Sequence, residues 1–288
     1  MFNLFINIVI IFIFYKLYYY YIYYILKNSN DDVKFNYYIN TTKGYNLIYF
    51  LYKIYLLIIY YGTKNEYNRL KNDINIWNIK IFYNTEFIDL LGYNDDVKIK
   101  KLSKFIKFNI DDNFYKDTKN GCLYISCHVG LIHHMPFVIQ QLHQNKPLGN
   151  VVYDLGYFNF LYTHNKMLKK IRRVNNNKNI LIIKDKNIFE NIYNSDIRYI
   201  LALTDNTKNG KIKCGIITVS KKFNIPIYYT AYYFNKDNQL QFDCFKLSEP
   251  SDNFQILEKK MIKYHNYYRN NYSDQILNYT SFKIKDKK

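Results

Sequence analysis

Arginine is scarce in this chain of 288 residues, although lysine and arginine together number 41 against 23 acidic residues. Arginine occurs only at Arg69, Arg172, Arg173, Arg198 and Arg269. The excess of Lys, Asn, Tyr and Ile is typical of an AT-rich genome, so most of the formal charge of +18 is explained by the lysine that such a genome favours. An arginine retained against this bias is consistent with a need for bidentate geometry, which lysine does not supply. Chance is the alternative, and the better explanation for any single arginine.

A recognisable nucleic-acid-binding module is also missing from the sequence. Such a module needs its basic residues clustered, or interleaved with aromatic residues on which bases stack. We therefore predict no nucleic-acid partner. A basic, membrane-tethered nucleic-acid binder remains an alternative that depends on charge alone, and contact with anionic lipid headgroups is the more natural use of that charge.

Cysteines are few and show no paired spacing. Cys122, Cys127, Cys214 and Cys244 all lie inside apolar segments. This pattern is typical of thiols buried in the core of a protein from a reducing compartment.

A zinc site is an alternative for one short segment, which holds Cys122, Cys127, His128, His133 and His134. The two cysteines differ by an odd number of strand positions, so their side chains are expected on opposite faces of a strand. The sequence offers no second Cys/His pair at zinc-finger spacing. We predict no metal site and no cofactor.

No small-residue cleavage site follows the apolar N-terminus, which argues against a cleaved signal peptide. Residues 4–26 are almost entirely apolar or aromatic, and a helix of this length reaches across a hydrocarbon core of about 30 Å. Lys27, Lys34 and Lys43 lie on its C-terminal side, which favours a cytoplasmic location for the rest of the protein. We predict a single-pass membrane anchor over residues 1–27; a buried, tyrosine-rich core helix is the alternative.

Residues 28–118 are predicted as a linker and a helical N-terminal part, without chemistry of their own. Residues 28–42 are polar, and 45–61 are apolar enough for an interfacial or a core helix. Residues 64–118 are predicted as helices separated by polar turns.

Residues 119–288 alternate between strand-like and helix-like patterns. The predicted strands are 122–127, 150–154, 179–184, 199–204, 225–234 and 239–246. The predicted helices are 131–144, 158–172, 186–194, 215–223 and 252–270. This alternation predicts an α/β fold with a largely parallel sheet flanked by helices.

The segment 121–136 is the candidate centre of the fold. Its apolar run predicts a short buried strand, His128 stands at the carboxyl end of that strand, and Gly130 permits a tight turn. Pro136 suits the first turn of the helix that follows. A polar side chain at this point of an α/β sheet is often functional, although a histidine packed in the core is the alternative. Cys127 beside His128 is not predicted as a nucleophile, because adjacent strand residues face opposite ways.

Five segments resemble blocks of a known family in order and spacing. Residues 125–133 match the block with a strand, a histidine and a glycine, with His133 where the family has an acid. Residues 151–153, with Arg172 and Arg173 after them, resemble a second block, in which Asp154 replaces an arginine. The remaining three are 199–206, 215–229 and the C-terminal pieces 273–277 with 282–283.

On these blocks the chain resembles the lysophospholipid acyltransferase superfamily, and within it the lauroyl and myristoyl transferases of lipid A biosynthesis. The resemblance implies a membrane-anchored α/β acyltransferase. Its donor is acyl-CoA or an acyl-carrier protein, and its acceptor is a hydroxyl of a membrane lipid.

The resemblance also implies roles for individual residues. His128 is the general base, and a carboxylate normally orients it and stabilises the imidazolium. His133 can accept a hydrogen bond and orient His128, but it carries no negative charge to stabilise the imidazolium. Asp154 or Asp205 is the candidate carboxylate support. Arg172 or Arg173 binds a phosphate of donor or acceptor, and their alternative is a solvated helix end.

Two further interpretations remain open at this point. His128 can act without a carboxylate in a slower enzyme. Alternatively, the chain is a catalytically silent relative that binds lipid or serves as a scaffold at the membrane.

Overall fold

The structure of the chain is a computed structural model that describes residues 2–40, 95–132, 134–144, 146–152, 180–182, 192, 197–204 and 217–275. The chain divides into two compact units. The first unit consists of Met1–Lys101 with Asn278–Lys288, and the second unit is Leu102–Leu277. The described helices are α1 (Phe2–Asn28), α2 (Asp31–Asn40), α3 (Asp95–Leu102), α4 (Phe114–Asp117), α5 (Met135–Leu142), α6 (Ile217–Phe223) and α7 (Phe254–Asn271). The described strands are β1 (Ile106–Ile110), β2 (Cys122–Ser126), β3 (Leu148–Val152), β4 (Ile180–Ile182), β5 (Tyr199–Leu203), β6 (Ile227–Phe234) and β7 (Leu240–Ser248).

Helix α1 covers the apolar N-terminal run, and α2 follows after a two-residue break. The Asn30 side chain accepts a hydrogen bond from the Val33 N–H at 2.8 Å, which caps the start of α2. The stretch predicted as a polar linker therefore contains a helix. Across the part of the chain that the structure describes, no helix is both long enough and apolar enough to cross a bilayer.

The second unit contains one sheet, whose described strands are ordered β1-β7-β6-β2-β5-β3-β4. Neighbouring strands run parallel, except that β6 and β7 form an antiparallel hairpin. The predicted α/β fold with a largely parallel sheet is confirmed. Strand β6, with the sequence IYYTAYYF, is buried along its whole length, as expected for an aromatic strand with helices on both faces.

The prediction for residues 64–118 is wrong in one element, because Ile106–Ile110 forms the edge strand β1, which pairs with β7. Strand β3 begins two residues before its predicted start. The helix predicted over 158–172 and the apolar segment 45–61 lie outside the described residues, as does the helix predicted over 186–194 apart from Ile192.

The C-terminal helix α7 covers β6 and β7. Its N-terminus is capped by Asn253, whose side chain accepts from the Gln255 N–H at 2.8 Å. Leu257, Met261 and Tyr268 point from α7 into the core. This helix ends close to the carboxyl edge of the sheet, where the candidate site lies.

Candidate functional site

Strand β2 lies at the centre of the sheet, with parallel partners on both sides. Ser126 pairs with Leu203 of β5, and Leu123 pairs with Ile227 of β6. The carboxyl ends of these parallel strands therefore lie along one edge, and the residues that follow β2 and β5 are neighbours.

The helices that follow β2 and β5 pack on opposite faces of the sheet. After β2, Met135 of α5 contacts Thr230 through a Sδ to Oγ1 distance of 3.3 Å. After β5, Val219 of α6 packs on the other face in a cluster with Leu123 and Ile125.

The chain thus leaves two adjacent strands in opposite directions. Helix α5 leads to β3 beyond β5, and α6 leads back to β6 on the other side of β2. Open α/β sheets commonly bind ligands at the carboxyl ends of adjacent parallel strands whose connections lie on opposite faces of the sheet. The described residues that follow β2 and β5, 127–132 and Thr204, are the candidate functional site.

His128 lies at this edge of the sheet, two residues after β2, and it is half-buried. The Val129 N–H donates to the Cys127 carbonyl at 2.8 Å, so His128 is the central residue of a γ-turn. The predicted place of His128, at the end of a short buried strand, is confirmed. Its half-buried imidazole differs from the fully buried ring that a packed core histidine would show.

Gly130 determines the course of the chain after His128. Its φ is +78°, a left-handed conformation that favours glycine. A Cβ atom there would clash with the Tyr232 carbonyl oxygen and would lie 2.9 Å from the Cβ of Tyr233. The close approach lets the Leu131 N–H donate to the Tyr232 carbonyl at 2.5 Å, which attaches the turn to β6.

The end of β5 is attached to the end of β2 and to α7. The Thr204 N–H donates to the Ser126 carbonyl at 2.7 Å. Nε2 of His265, a fully buried residue of α7, lies 2.6 Å from the Thr204 carbonyl oxygen and 3.2 Å from its Oγ1. His265 therefore holds Thr204, the residue that follows β5 and immediately precedes Asp205 in the sequence.

Only one of the predicted site residues can be placed. His133, Asp154, Arg172, Arg173 and Asp205 lie outside the described residues. Their predicted roles stay predictions, and the structure describes no geometry between them and His128.

Sequence reasoning gave no role to two histidines that are important in the structure. His143 is buried against Tyr199 with ring centroids 3.9 Å apart, and its Nε2 forms a hydrogen bond with the Tyr124 hydroxyl. Burial, with a contribution from Lys146, lowers the pKa of His143 to about 4. The second histidine is His265. The sequence signal that could have found it is its spacing from Met261, which lies four residues earlier on the same face of α7.

The described cysteines are buried and form no disulfide, as predicted. Burial raises the pKa values of Cys122 and Cys244. The Tyr229 hydroxyl donates to Cys127 Sγ at 3.2 Å on the α7 face of the sheet. Within the described ranges, no group of His, Cys, Asp and Glu is arranged to hold a metal ion.

Comparison with known proteins gives this site no family assignment. No protein-family model matches the chain, and no curated protein matches it.

Proposed function

We propose that this chain is a membrane-bound acyltransferase with His128 as its general base. It would move a fatty acyl chain from acyl-CoA or an acyl-carrier protein to a hydroxyl of a membrane lipid or glycolipid. The observation that supports this most directly is the half-buried His128 at the carboxyl end of the central parallel strand β2, beside the carboxyl end of β5. The order of the sequence blocks that resemble acyltransferases supplies the reaction type.

In the proposed reaction, a ring nitrogen of His128 takes the proton of the acceptor hydroxyl. The hydroxyl oxygen then attacks the thioester carbonyl, and an ester C–O bond forms while the C–S bond breaks. The imidazolium returns the proton to the thiolate that leaves, so the histidine is regenerated. Proton transfer by a positioned side chain contributes about 10²–10⁴-fold in rate.

The γ-turn and Gly130 support this proposal because they limit where the imidazole can lie. The turn is attached on one side to Tyr232 by the Leu131 N–H. A ring that is already oriented loses little entropy when a substrate arrives, which favours proton transfer.

The membrane part of the proposal rests on α1. Its Ile13, Phe14, Leu17 and Tyr24 side chains are exposed by 51% to 68%, which is unusual for large apolar groups facing water. We propose that α1 attaches the protein to a membrane and that the α/β unit lies on the cytoplasmic side. Phe14→Lys combined with Leu17→Lys is expected to release the chain from the membrane fraction, whereas Tyr115→Lys, another exposed aromatic residue, is the control.

The test of the reaction is incorporation of labelled acyl chains into lipid by the purified full chain in anionic vesicles that contain a hydroxylated lipid. Wild type, His128→Ala and Gln255→Ala are compared, because Gln255 is an exposed residue of α7. Incorporation is expected from wild type and Gln255→Ala and not from His128→Ala. Equal incorporation by all three would remove His128 from the mechanism.

A catalytically silent lipid-binding relative is the second candidate, because His133 stands where the family has an acid. The variant His133→Glu separates the two functions. Turnover that arises only in this variant would assign the wild type to lipid binding without catalysis.

A further inference from the structure

Strand β6 extends beyond β2, and Gln275 covers part of the edge that it leaves. The described pairing of β6 with β2 ends at Tyr229, while β6 continues to Phe234. The Gln275 side chain accepts from the Phe234 N–H at 3.0 Å and donates to the Phe234 carbonyl at 2.7 Å. Its amide thus takes the place of a neighbouring strand at this point.

The main chain of the same residue contacts the turn that carries His128. The Gly130 N–H donates to the Gln275 carbonyl oxygen at 2.9 Å. The Gln275 N–H in turn donates to the Tyr272 carbonyl at 3.0 Å, just after α7. Gln275 is 5% exposed, so these hydrogen bonds form away from water, where losing a partner is costly.

The chemistry of the side chain fits this position closely. Bonding to both the N–H and the carbonyl of Phe234 requires one acceptor and one donor on a planar group, which a primary amide provides. A glutamate carboxylate would bring a second acceptor against the Phe234 carbonyl. An asparagine is shorter by one methylene and would not reach both groups from the same backbone position.

We infer that Gln275 is the positioning residue for His128. Its side chain fixes the 3₁₀ turn Ser273–Gln275 on the end of β6, and its carbonyl then fixes Gly130 two residues after the histidine. The consequence for acyl transfer rests on the proposed function, whereas the positioning itself does not.

The first test measures positioning without any assay of activity. Hydrogen exchange of the Gly130 amide and the rate of carbethoxylation of His128 are compared in wild type, Gln275→Ala and Gln255→Ala. In Gln275→Ala we expect exchange at Gly130 to rise at least tenfold and the His128 modification rate to change, while amides in the middle of α7 keep their protection. Gln255→Ala should match wild type.

The variant Gln275→Glu makes the test more specific. At pH 8 the carboxylate lacks a donor, so Gly130 should exchange as fast as in Gln275→Ala. Near pH 4 a protonated carboxyl again has one donor and one acceptor, so protection should return once rates are corrected for intrinsic exchange. A role limited to packing would show no such recovery.

The outcomes separate the two proposals. Wild-type protection of Gly130 in Gln275→Ala, with unchanged His128 modification, overturns the positioning role. If Gln275→Ala loses protection at Gly130 while the wild-type protein transfers no acyl chain, the positioning role is retained and the proposed function is rejected. If both hold, Gln275→Ala should lower kcat at least tenfold with little change in KM, because the substrate contacts are intact.

Discussion

The Nε2 atom of His265 lies 2.6 Å from the main-chain carbonyl oxygen of Thr204, at the point where β5 ends. The other ring nitrogen, Nδ1, lies 2.8 Å from the Met261 carbonyl oxygen. These two contacts place the ring between α7 and the end of β5. Through this ring α7 holds the residue that follows β5, as Gln275 holds the turn after β2.

The ring of His265 joins α7 to the residue that follows β5, so we expect it to contribute to stability. Urea unfolding of wild type and a His265 variant measures this contribution, and equal unfolding curves would contradict it. His265→Gln, with a single donor group, is expected to lower the free energy of unfolding by about 1–3 kcal/mol.

Gly130 and Gly121 offer a matched pair of substitutions at the two ends of β2. Both have positive φ, at +78° and +128°, and in both a Cβ atom would press on a carbonyl oxygen. We expect Gly130→Ala and Gly121→Ala each to cost about 2 kcal/mol or more in the free energy of unfolding. Only Gly130→Ala should shift the NMR signals of the His128 ring, and equal shifts in both variants would argue against a local role for this turn.

Stability should depend on pH through His143. Burial lowers the pKa of its ring from 6.5 to about 4, so the unfolded chain binds a proton between these values and the folded chain does not. The free energy of unfolding therefore rises with pH across this window, by up to about 1.4 kcal/mol per pH unit, and levels off above it.

The variant His143→Phe isolates this contribution, because it keeps an aromatic ring against Tyr199 and removes the titrating group. Denaturant unfolding between pH 4 and pH 7 should show a shallower pH dependence for the variant than for wild type. Parallel curves would show that His143 titrates alike in both states.

The buried carboxylate of Asp243, which is packed under α7, also contributes to the stability of the fold. Asp243 is 3% exposed and accepts hydrogen bonds from the hydroxyls of Tyr233 and Tyr268, at 2.7 Å and 2.5 Å. Gln241 donates to its other oxygen at 2.8 Å. Burial and the charge of Asp243 raise the pKa of the Tyr268 hydroxyl, so this group remains a donor across the range in which the protein is folded.

We predict that Tyr268→Phe lowers the free energy of unfolding by about 1.5–3 kcal/mol, since it removes one donor to a buried charge and keeps the ring. The adjacent Tyr267 is 51% exposed, and Tyr267→Phe should change stability by less than about 0.5 kcal/mol. Equal effects of the two substitutions in urea unfolding would show that the hydroxyl of Tyr268 contributes little.

The strands around the candidate site could be predicted because their signals are local. Strands β2, β5 and β6 are apolar runs of strand length, and the alternation of strands with helices is enough to indicate a largely parallel sheet. Strand β1 was missed because it is an edge strand whose middle residues are exposed, so its pattern lacks the continuous apolar run of a central strand.

The supports of His128 could not be predicted for a different reason. Gln275 contacts Gly130, which lies far earlier in the sequence, and His265 contacts Thr204, which lies 61 residues earlier. No periodicity within a short window reports such contacts. The signal for His128 itself was local, a histidine and a glycine directly after a buried strand. Sequence patterns thus located the turn, whereas the hydrogen bonds that fix it emerge only from the fold.

The most direct test of the account is the rate of ester formation by the purified full chain, measured with an acyl thioester donor and a hydroxylated lipid in anionic vesicles. Wild type is compared with His128→Gln, an uncharged side chain that cannot act as a general base, and circular dichroism verifies that both are folded. We predict one thiol released for each ester formed by wild type and a rate at least 100-fold lower for His128→Gln. Equal rates in the two proteins would contradict the assignment of His128 as the general base.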